Sequence, residues 1–282
     1  MGERVTALAT KGLSTKKLSF LWVIALMYFS FNSHFTLAQQ VEQLKSTPSS
    51  QSTTASTITL AAEDSWPPFA DQFGHGISHR LIKAAFEQLP YEINSLIVPY
   101  SRGLMMAEKG SVDGVFNVSK EESTEQRFVF GNTPLFVATA SFYQKKQTKT
   151  VNNKWALPIG STVGIIKSYE YGNEFNELVK QRKLNIVTVT TQQQLVNLLL
   201  IGRIDAALMY DLVAQEVLAK MGVDGEVQSV FINHSSNIYL AFSKQSPRAK
   251  QLAQELDLGL LRLKTNGKYQ QLLSTQTQET RL

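Results

Sequence analysis

The sequence predicts an α/β protein of two parallel-rich α/β lobes. Three observations carry this reading. Strand and helix signals alternate as βαβαβ over residues 57–118. The alternation restarts at Thr162. A closing strand and helix, residues 238–242 and 248–263, remain after the second unit is complete. Strands separated by crossover helices call for parallel pairing, and the fresh start divides the chain into two units rather than one large sheet.

The elements follow in order. Residues 57–62 (TITLAA) form a short β-rich run. Ile77, Leu81, Ala84, Ala85 and Leu89 recur at helical spacing. Residues 93–98 read as a second strand. Ser101 can cap a short helix that runs through Glu108 and stops at Gly110. Residues 112–118 (VDGVFNV) give the third strand. In the second unit, strands at 162–166 and 185–189 flank a helix at 174–182. Thr191, with Gln194 three residues on, fits a capping box for a helix through Leu200. Residues 205–209 (DAALM) form the next strand, and Asp211 can cap a helix that reaches Met221. After the strand IYLAF, Ser246-Pro247 offers an N-cap and a favourable first helical residue. The last helix carries Leu252, Leu256, Leu260 and Leu263, which need a partner surface. The chain is therefore expected to return to the first unit, crossing between lobes twice.

Composition removes several classes of function. The 282 residues are 43% hydrophobic and 18% charged, ordinary usage for a globular chain. Cysteine is absent, which excludes disulfides, thiolate zinc sites and thiol catalysis. The formal charge of +5 is concentrated in the first 38 residues, which hold Arg4, Lys11, Lys16 and Lys17 against Glu3. The remainder is nearly neutral and gives no electrostatic reason to expect nucleic acid. Those 38 residues read as an export signal. Lys16 and Lys17 precede an apolar run, residues 18–31, and Thr36-Leu37-Ala38 offers small residues before Gln39. The alternative is an uncleaved anchor, against which Asn32, Ser33 and His34 interrupt the run. Residues 39–56, rich in Gln, Ser and Thr, read as a disordered leader. The expected location is the periplasm.

Short motifs then recur in order over residues 57–273. They include Trp66-Pro67-Pro68-Phe69, Pro99-Tyr100-Ser101-Arg102, Gly110-Ser111-Val112-Asp113-Gly114, Thr124-Glu125-Gln126-Arg127 and Pro134-Leu135-Phe136. The second half adds Val163-Gly164-Ile165-Ile166, Tyr169-Glu170-Tyr171-Gly172-Asn173-Glu174-Phe175, Gly202-Arg203-Ile204-Asp205-Ala206-Ala207, Phe242-Ser243-Lys244 and Leu263-Lys264-Thr265-Asn266-Gly267-Lys268-Tyr269. In these the chain resembles the bacterial extracellular solute-binding proteins of family 3, the polar amino-acid type. The resemblance implies a two-lobed periplasmic binding protein type II fold with two hinge strands, here near 140–143 and 233–237. Residues 57–141 and 236–275 would form the first lobe and 142–235 the second, with 276–282 as a tail. It also implies a monomer that holds a small polar ligand, an amino acid or related organic acid, for an ABC importer or a membrane sensor. No cofactor or metal is implied.

The resemblance nominates ligand-binding residues. Trp66, beyond a strand end, would stack on the ligand, or pack on Pro67 and Pro68. Arg127 matches the family's carboxylate-binding Arg with altered spacing, and Arg102 is the second candidate, or a surface partner of Glu108. A planar guanidinium suits a carboxylate because it holds both oxygens. Asn117 and Ser119 fall where the family uses backbone and hydroxyl contacts. Lys167, Ser168 and Tyr169 follow a strand end, with Ser168 where many relatives have Gly. Asp211 matches the ammonium-binding Asp with one extra residue, leaving Tyr210 at the strict spacing. Arg80 stands where relatives often have Asp. Two further readings stay open. One is a dehydratase-like enzyme drawing on Glu63, Asp64, Glu170 and Glu174 for proton transfer. The other is an orphan sensor that binds a partner protein. His75 and His79 lie four apart, a spacing compatible with a metal pair, but no third ligand accompanies them.

Overall fold

The computed structural model describes residues 56–274 apart from 147, 149, 150 and 152. The export signal, nearly all of the leader, and the tail lie outside the described residues.

The elements are β1 (Ser56–Glu63), β2 (Ser65–Trp66), β3 (Ala70–Asp71), α1 (Ile77–Phe86), β4 (Tyr91–Val98), α2 (Tyr100–Glu108), β5 (Gly114–Ser119), α3 (Glu122–Glu125), β6 (Phe128–Phe130) and β7 (Phe136–Lys145). They continue as β8 (Thr162–Ile166), α4 (Phe175–Arg182), β9 (Asn185–Val189), α5 (Gln192–Leu200), β10 (Ala206–Tyr210), α6 (Asp211–Met221), β11 (Val227–Ser243), α7 (Ala249–Thr265) and α8 (Lys268–Ser274).

Nine strands share one sheet in the order β4-β1-β5-β11-β7-β10-β8-β9, with β6 beside β11. Each end of this path is a parallel set, as crossover helices require: β4, β1 and β5 at one end, β10, β8 and β9 at the other. The middle is antiparallel. Strand β11 pairs with β5 through Ile238–Phe242 positions and with β7 from Val227 to Ile238. The β7–β11 ribbon thus joins the two lobes, and it contains residues 140–143 and 233–237.

Strand β11 is far longer than the predicted 238–242, because its first part alternates buried and exposed residues weakly and resembles a polar loop in sequence. The predicted caps also shift. Pro99, not Ser101, precedes α2, and Tyr210 precedes α6, so Asp211 is that helix's first residue. The last long helix starts at Ala249 after Arg248, beyond Ser246-Pro247. At Thr191 half of the capping box forms. Its hydroxyl accepts from the Gln194 amide, while the Gln194 side chain accepts from Thr190. Helix α1 ends before Leu89, whose amide closes a turn onto Phe86.

The apolar face of α7 finds its partner in α1. Leu252, Leu256 and Leu260 are buried with Leu81, Ile82 and Phe86. The approach is close at Gly259, where a Cβ would fall 2.2 Å from the Ala85 carbonyl oxygen. Buried Asp257 accepts from the amides of Asn132 and Thr133 at 2.8 and 2.7 Å, fixing the loop before β7.

Candidate functional site

Parallel strands bring their C-terminal ends to one edge, where the following loops gather; in open α/β sheets this is where ligands bind. Here those ends deliver polar and aromatic side chains from both lobes to one cleft. Glu63 ends β1, Ser119 ends β5, and Tyr100 opens α2 just after β4. From the second lobe, Tyr169, Glu170 and Tyr171 follow β8, and Tyr210 ends β10.

The cleft is closed by contacts that cross it. The Tyr169 hydroxyl donates to Glu63. The Tyr100 hydroxyl donates to Glu170 Oε2 at 2.8 Å. Within the second lobe, the Tyr210 hydroxyl gives its one proton to the Glu170 carbonyl at 2.8 Å. Ser119 Oγ, across the cleft and 3.2 Å from the Tyr210 hydroxyl oxygen, must therefore donate to it. The Gly172 amide donates to Glu121 Oε1 at 2.9 Å. Trp66 meets Tyr210 edge-on at 5.2 Å between ring centroids, and packs on Phe69 at 4.6 Å within its own lobe.

Burial dominates the electrostatics. It pushes the Glu63 carboxyl up to about 8; the Tyr169 hydrogen bond opposes this, and Asp64 and Glu170 add to it. Burial likewise pushes Glu170 up to about 8, against the hydrogen bond from Tyr100, with Glu121 adding repulsion. The phenols of Tyr100, Tyr169 and Tyr210 are driven well above their usual range, chiefly by desolvation. At neutral pH burial therefore keeps Glu63 and Glu170 mostly protonated in the closed cleft, beside neutral phenols.

Two grooves flank this closure. One, of about 400 Å³, is lined by Glu108, Glu121, Arg127, Ser168, Tyr169 and Glu170 among others. The other, of about 380 Å³, includes Lys120, Lys154, Glu174 and His234. Both share Glu121, Tyr171 and Gly172, so the Glu121–Gly172 bond is the bar between them.

The structure brings Trp66, Ser119 and Tyr169 together around Tyr210 in the cleft, with Asn117 two residues before Ser119 on β5. Asn117 has φ 61° and accepts from the Ser78 hydroxyl at 2.5 Å. Trp66 Nε1 and Asn117 Nδ2 are among the buried polar atoms without a partner among the described residues, as are Arg80 Nε and Ser141 Oγ. Ser168 reaches the groove with φ 66°, a left-handed conformation that explains why glycine suits this position. Arg127 stands at the groove's edge, held by Glu108 through two hydrogen bonds of 3.1 Å. That pairing takes up the Glu108 that sequence reasoning offered to Arg102, which is exposed. Lys167 is exposed as well. Asp211 accepts from the Tyr143 hydroxyl at 2.9 Å rather than facing the crossing contacts. Arg80 ties α1 to the Leu272 carbonyl. His79 packs on Phe116, and His75 sits 3.9 Å from Asp71.

Sequence reasoning missed Tyr100 and Glu121 and gave Tyr210 only a spacing role. The available signal was their common place at strand ends. No spacing between Glu63 and Glu170 could pair them, because they come from different lobes.

The profile of the bacterial extracellular solute-binding proteins, family 3, matches residues 58–277. This chain belongs to that family. The solved structures similar to this solute-binding protein share its two-lobed fold at low identity. An ancestral arginine-binding protein bound to arginine is 20% identical with a TM-score of 0.68, covering 79% of this chain and 98% of its own. A histidine kinase sensor domain with similarity to periplasmic binding proteins is 18% identical with a TM-score of 0.69, covering 79% and 96%. An arginine transport-system periplasmic binding protein from Legionella pneumophila is 17% identical with a TM-score of 0.67, covering 78% and 99%. No curated protein matches the chain. No helix among the described residues is long and apolar enough to cross a membrane.

Proposed function

We propose that this solute-binding protein captures a small polar solute between its lobes and hands the closed form to a membrane partner, without catalysing a reaction. Residues 57–141 and 236–275 make one lobe and 142–235 the other, with the β7–β11 ribbon as hinge. The observation that carries the reading is the convergence of polar and aromatic side chains from the strand ends of both lobes on one cleft, with Trp66 Nε1 and Asn117 Nδ2 buried and unpartnered. Buried polar groups are normally satisfied, and a bound solute supplies the missing acceptors. Trp66, Asn117, Ser119 and Tyr169 are the proposed contacts, with Arg127 and Ser168 at the mouth. Exported to the periplasm by residues 1–38, the protein would serve an ABC importer or a sensor; the Legionella relative is described as part of a transport system and the kinase domain as a sensor.

The test is a thermal-shift screen with amino acids and organic acids, since a ligand that binds only the folded state raises the melting temperature by mass action. No shift with any small solute would favour a partner-binding role instead. One observation supports the enzymatic alternative: Glu63 and Glu170, with their carboxyls near 8, can donate protons at neutral pH. Turnover of a prephenate-like acid would establish it.

A further inference from the structure

We infer that the captured solute is an organic cation lacking a carboxylate, held between Glu63 of one lobe and Glu170 of the other within a cage of aromatic rings. The inference rests on the solute-binding reading and names the ligand class of that cleft.

The charge inventory points this way. A zwitterion or an anion needs a free cationic side chain for its carboxylate, and the interlobe grooves offer none among the described residues. Arg127 is engaged by Glu108. Lys154 is engaged by Glu174 at 2.9 Å and by the Asn233 carbonyl. Lys120 lies 3.5 Å from Glu125. Against them stand Glu63, Glu121 and Glu170, none in an ion pair among the described residues, although Arg127 lies close enough to Glu170 to attract it. Removing a lone carboxylate from water is costly, so such a group either stays protonated or takes a positive ligand.

The rings add to the same preference. Trp66–Tyr210 and Tyr100–Tyr169 centroids lie 5.2 Å apart, and the pairs among Tyr169, Tyr171 and Tyr210 each lie 6.2 Å apart. An aromatic face carries negative potential and attracts an alkylammonium or guanidinium group that comes within about 6 Å of its centroid. These separations are ring to ring, so a cation reaches the faces once the pairs that span the lobes, Trp66–Tyr210 and Tyr100–Tyr169, part. The unpartnered Trp66 Nε1 and Asn117 Nδ2 are neutral donors; they suit a hydroxyl, carbonyl or ether on the ligand but cannot neutralise a carboxylate.

Binding is then an exchange. A ligand N–H replaces the Tyr169 hydroxyl at Glu63 and the Tyr100 hydroxyl at Glu170. Each carboxyl that pairs with the cation releases its proton to solvent. The groups facing Glu63 are Tyr169, Asp64 and Glu170; those facing Glu170 are Tyr100, Glu121 and Arg127. Deprotonation of any of the carboxyls among them strengthens cation binding.

Isothermal titration of the purified protein at pH 7 tests this with matched pairs that differ by one carboxylate. These are agmatine against arginine and cadaverine against lysine, with glutamate and glutamine alongside. At least one amine is expected to bind tenfold or more tightly than its amino acid. Comparison of phosphate and Tris buffers should show protons released on binding. Glu63→Gln and Glu170→Gln, folded by their melting curves, should each weaken amine binding at least tenfold and reduce the proton release. Arginine binding as tightly as agmatine, or amino acids binding where amines do not, overturns the cation assignment and leaves the solute-binding reading standing. No heat and no melting shift with any of these compounds, nor with the wider screen, overturns both.

Discussion

Raising the pH from 6.5 to 7.5 should loosen the closed cleft, and the size of the effect follows from two carboxyls. Glu63 and Glu170 hold their protons up to about 8 in the closed cleft, whereas a solvated carboxyl releases its proton near 4.5. The closed form therefore carries extra protons between those limits. Its stability is full below 4.5 and falls as pH rises toward 8. Each carboxyl contributes a factor of about 10 per pH unit, so the pair gives about 100-fold, or about 2.7 kcal/mol, across this one-unit step. The histidines act in the opposite sense on melting. Burial presses His79 and His234 from the ordinary 6.5 down to about 4, so unfolding takes up protons on them. The folded state thus gains a little stability as pH rises through 6.5, which offsets part of the drop without altering the slope lost in the Glu variants. Small-angle scattering should report a larger radius of gyration at pH 7.5 than at 6.5, and the melting temperature should drop. Glu63→Gln should halve the logarithmic slope, and the double variant with Glu170→Gln should flatten it. A melting temperature that does not move over this interval, or an undiminished slope in the double variant, refutes the reasoning.

Other perturbations have equally direct readings. Tyr210→Phe removes the hydroxyl that Ser119 bonds across the cleft and frees the Glu170 carbonyl within the second lobe, so closure should weaken by about 0.5–1.5 kcal/mol, seen as a more open scattering profile. Asp257→Ala strips the amides of Asn132 and Thr133 of their acceptor and should cost about 2–3 kcal/mol in urea unfolding, with Asp257→Asn recovering part of it. Gly259→Ala places a methyl 2.2 Å from the Ala85 carbonyl, which the backbone of α1 cannot evade without moving away from α7. A loss of about 1–3 kcal/mol is expected, and a melting temperature equal to the parent's would show that the helices separate freely.

The parallel sets were legible because each strand is a compact apolar run bounded by helical spacing, as at Thr162–Ile166 and Asn185–Val189, where predicted and observed bounds coincide. Strand β11 was only partly legible. Its pairing with β7 is a long-range backbone ladder, and residues such as Asn233, Ser235 and Ser236 carry no strand preference of their own. The caps failed for a related reason: Ser101 and Asp211 are good capping types, but the strand before each delivers a different residue to the first turn. In the cleft, Trp66, Ser119 and Tyr169 were legible through motifs. The Glu63–Tyr169 and Tyr100–Glu170 pairs were not, since their members are separated by 106 and 70 residues and meet only when the lobes do.

The ribbon that joins the lobes has one irregular edge. Its two register breaks, between Ser229 and Phe231 and between Ile232 and His234, both fall where the long final strand runs beside its shorter neighbour. Extra residues on one side of an antiparallel pair increase its coiling. A coiled ribbon is stiffer to flat bending than to a turn about its own axis, so a rotation of one lobe against the other is the movement this joint would yield to most readily.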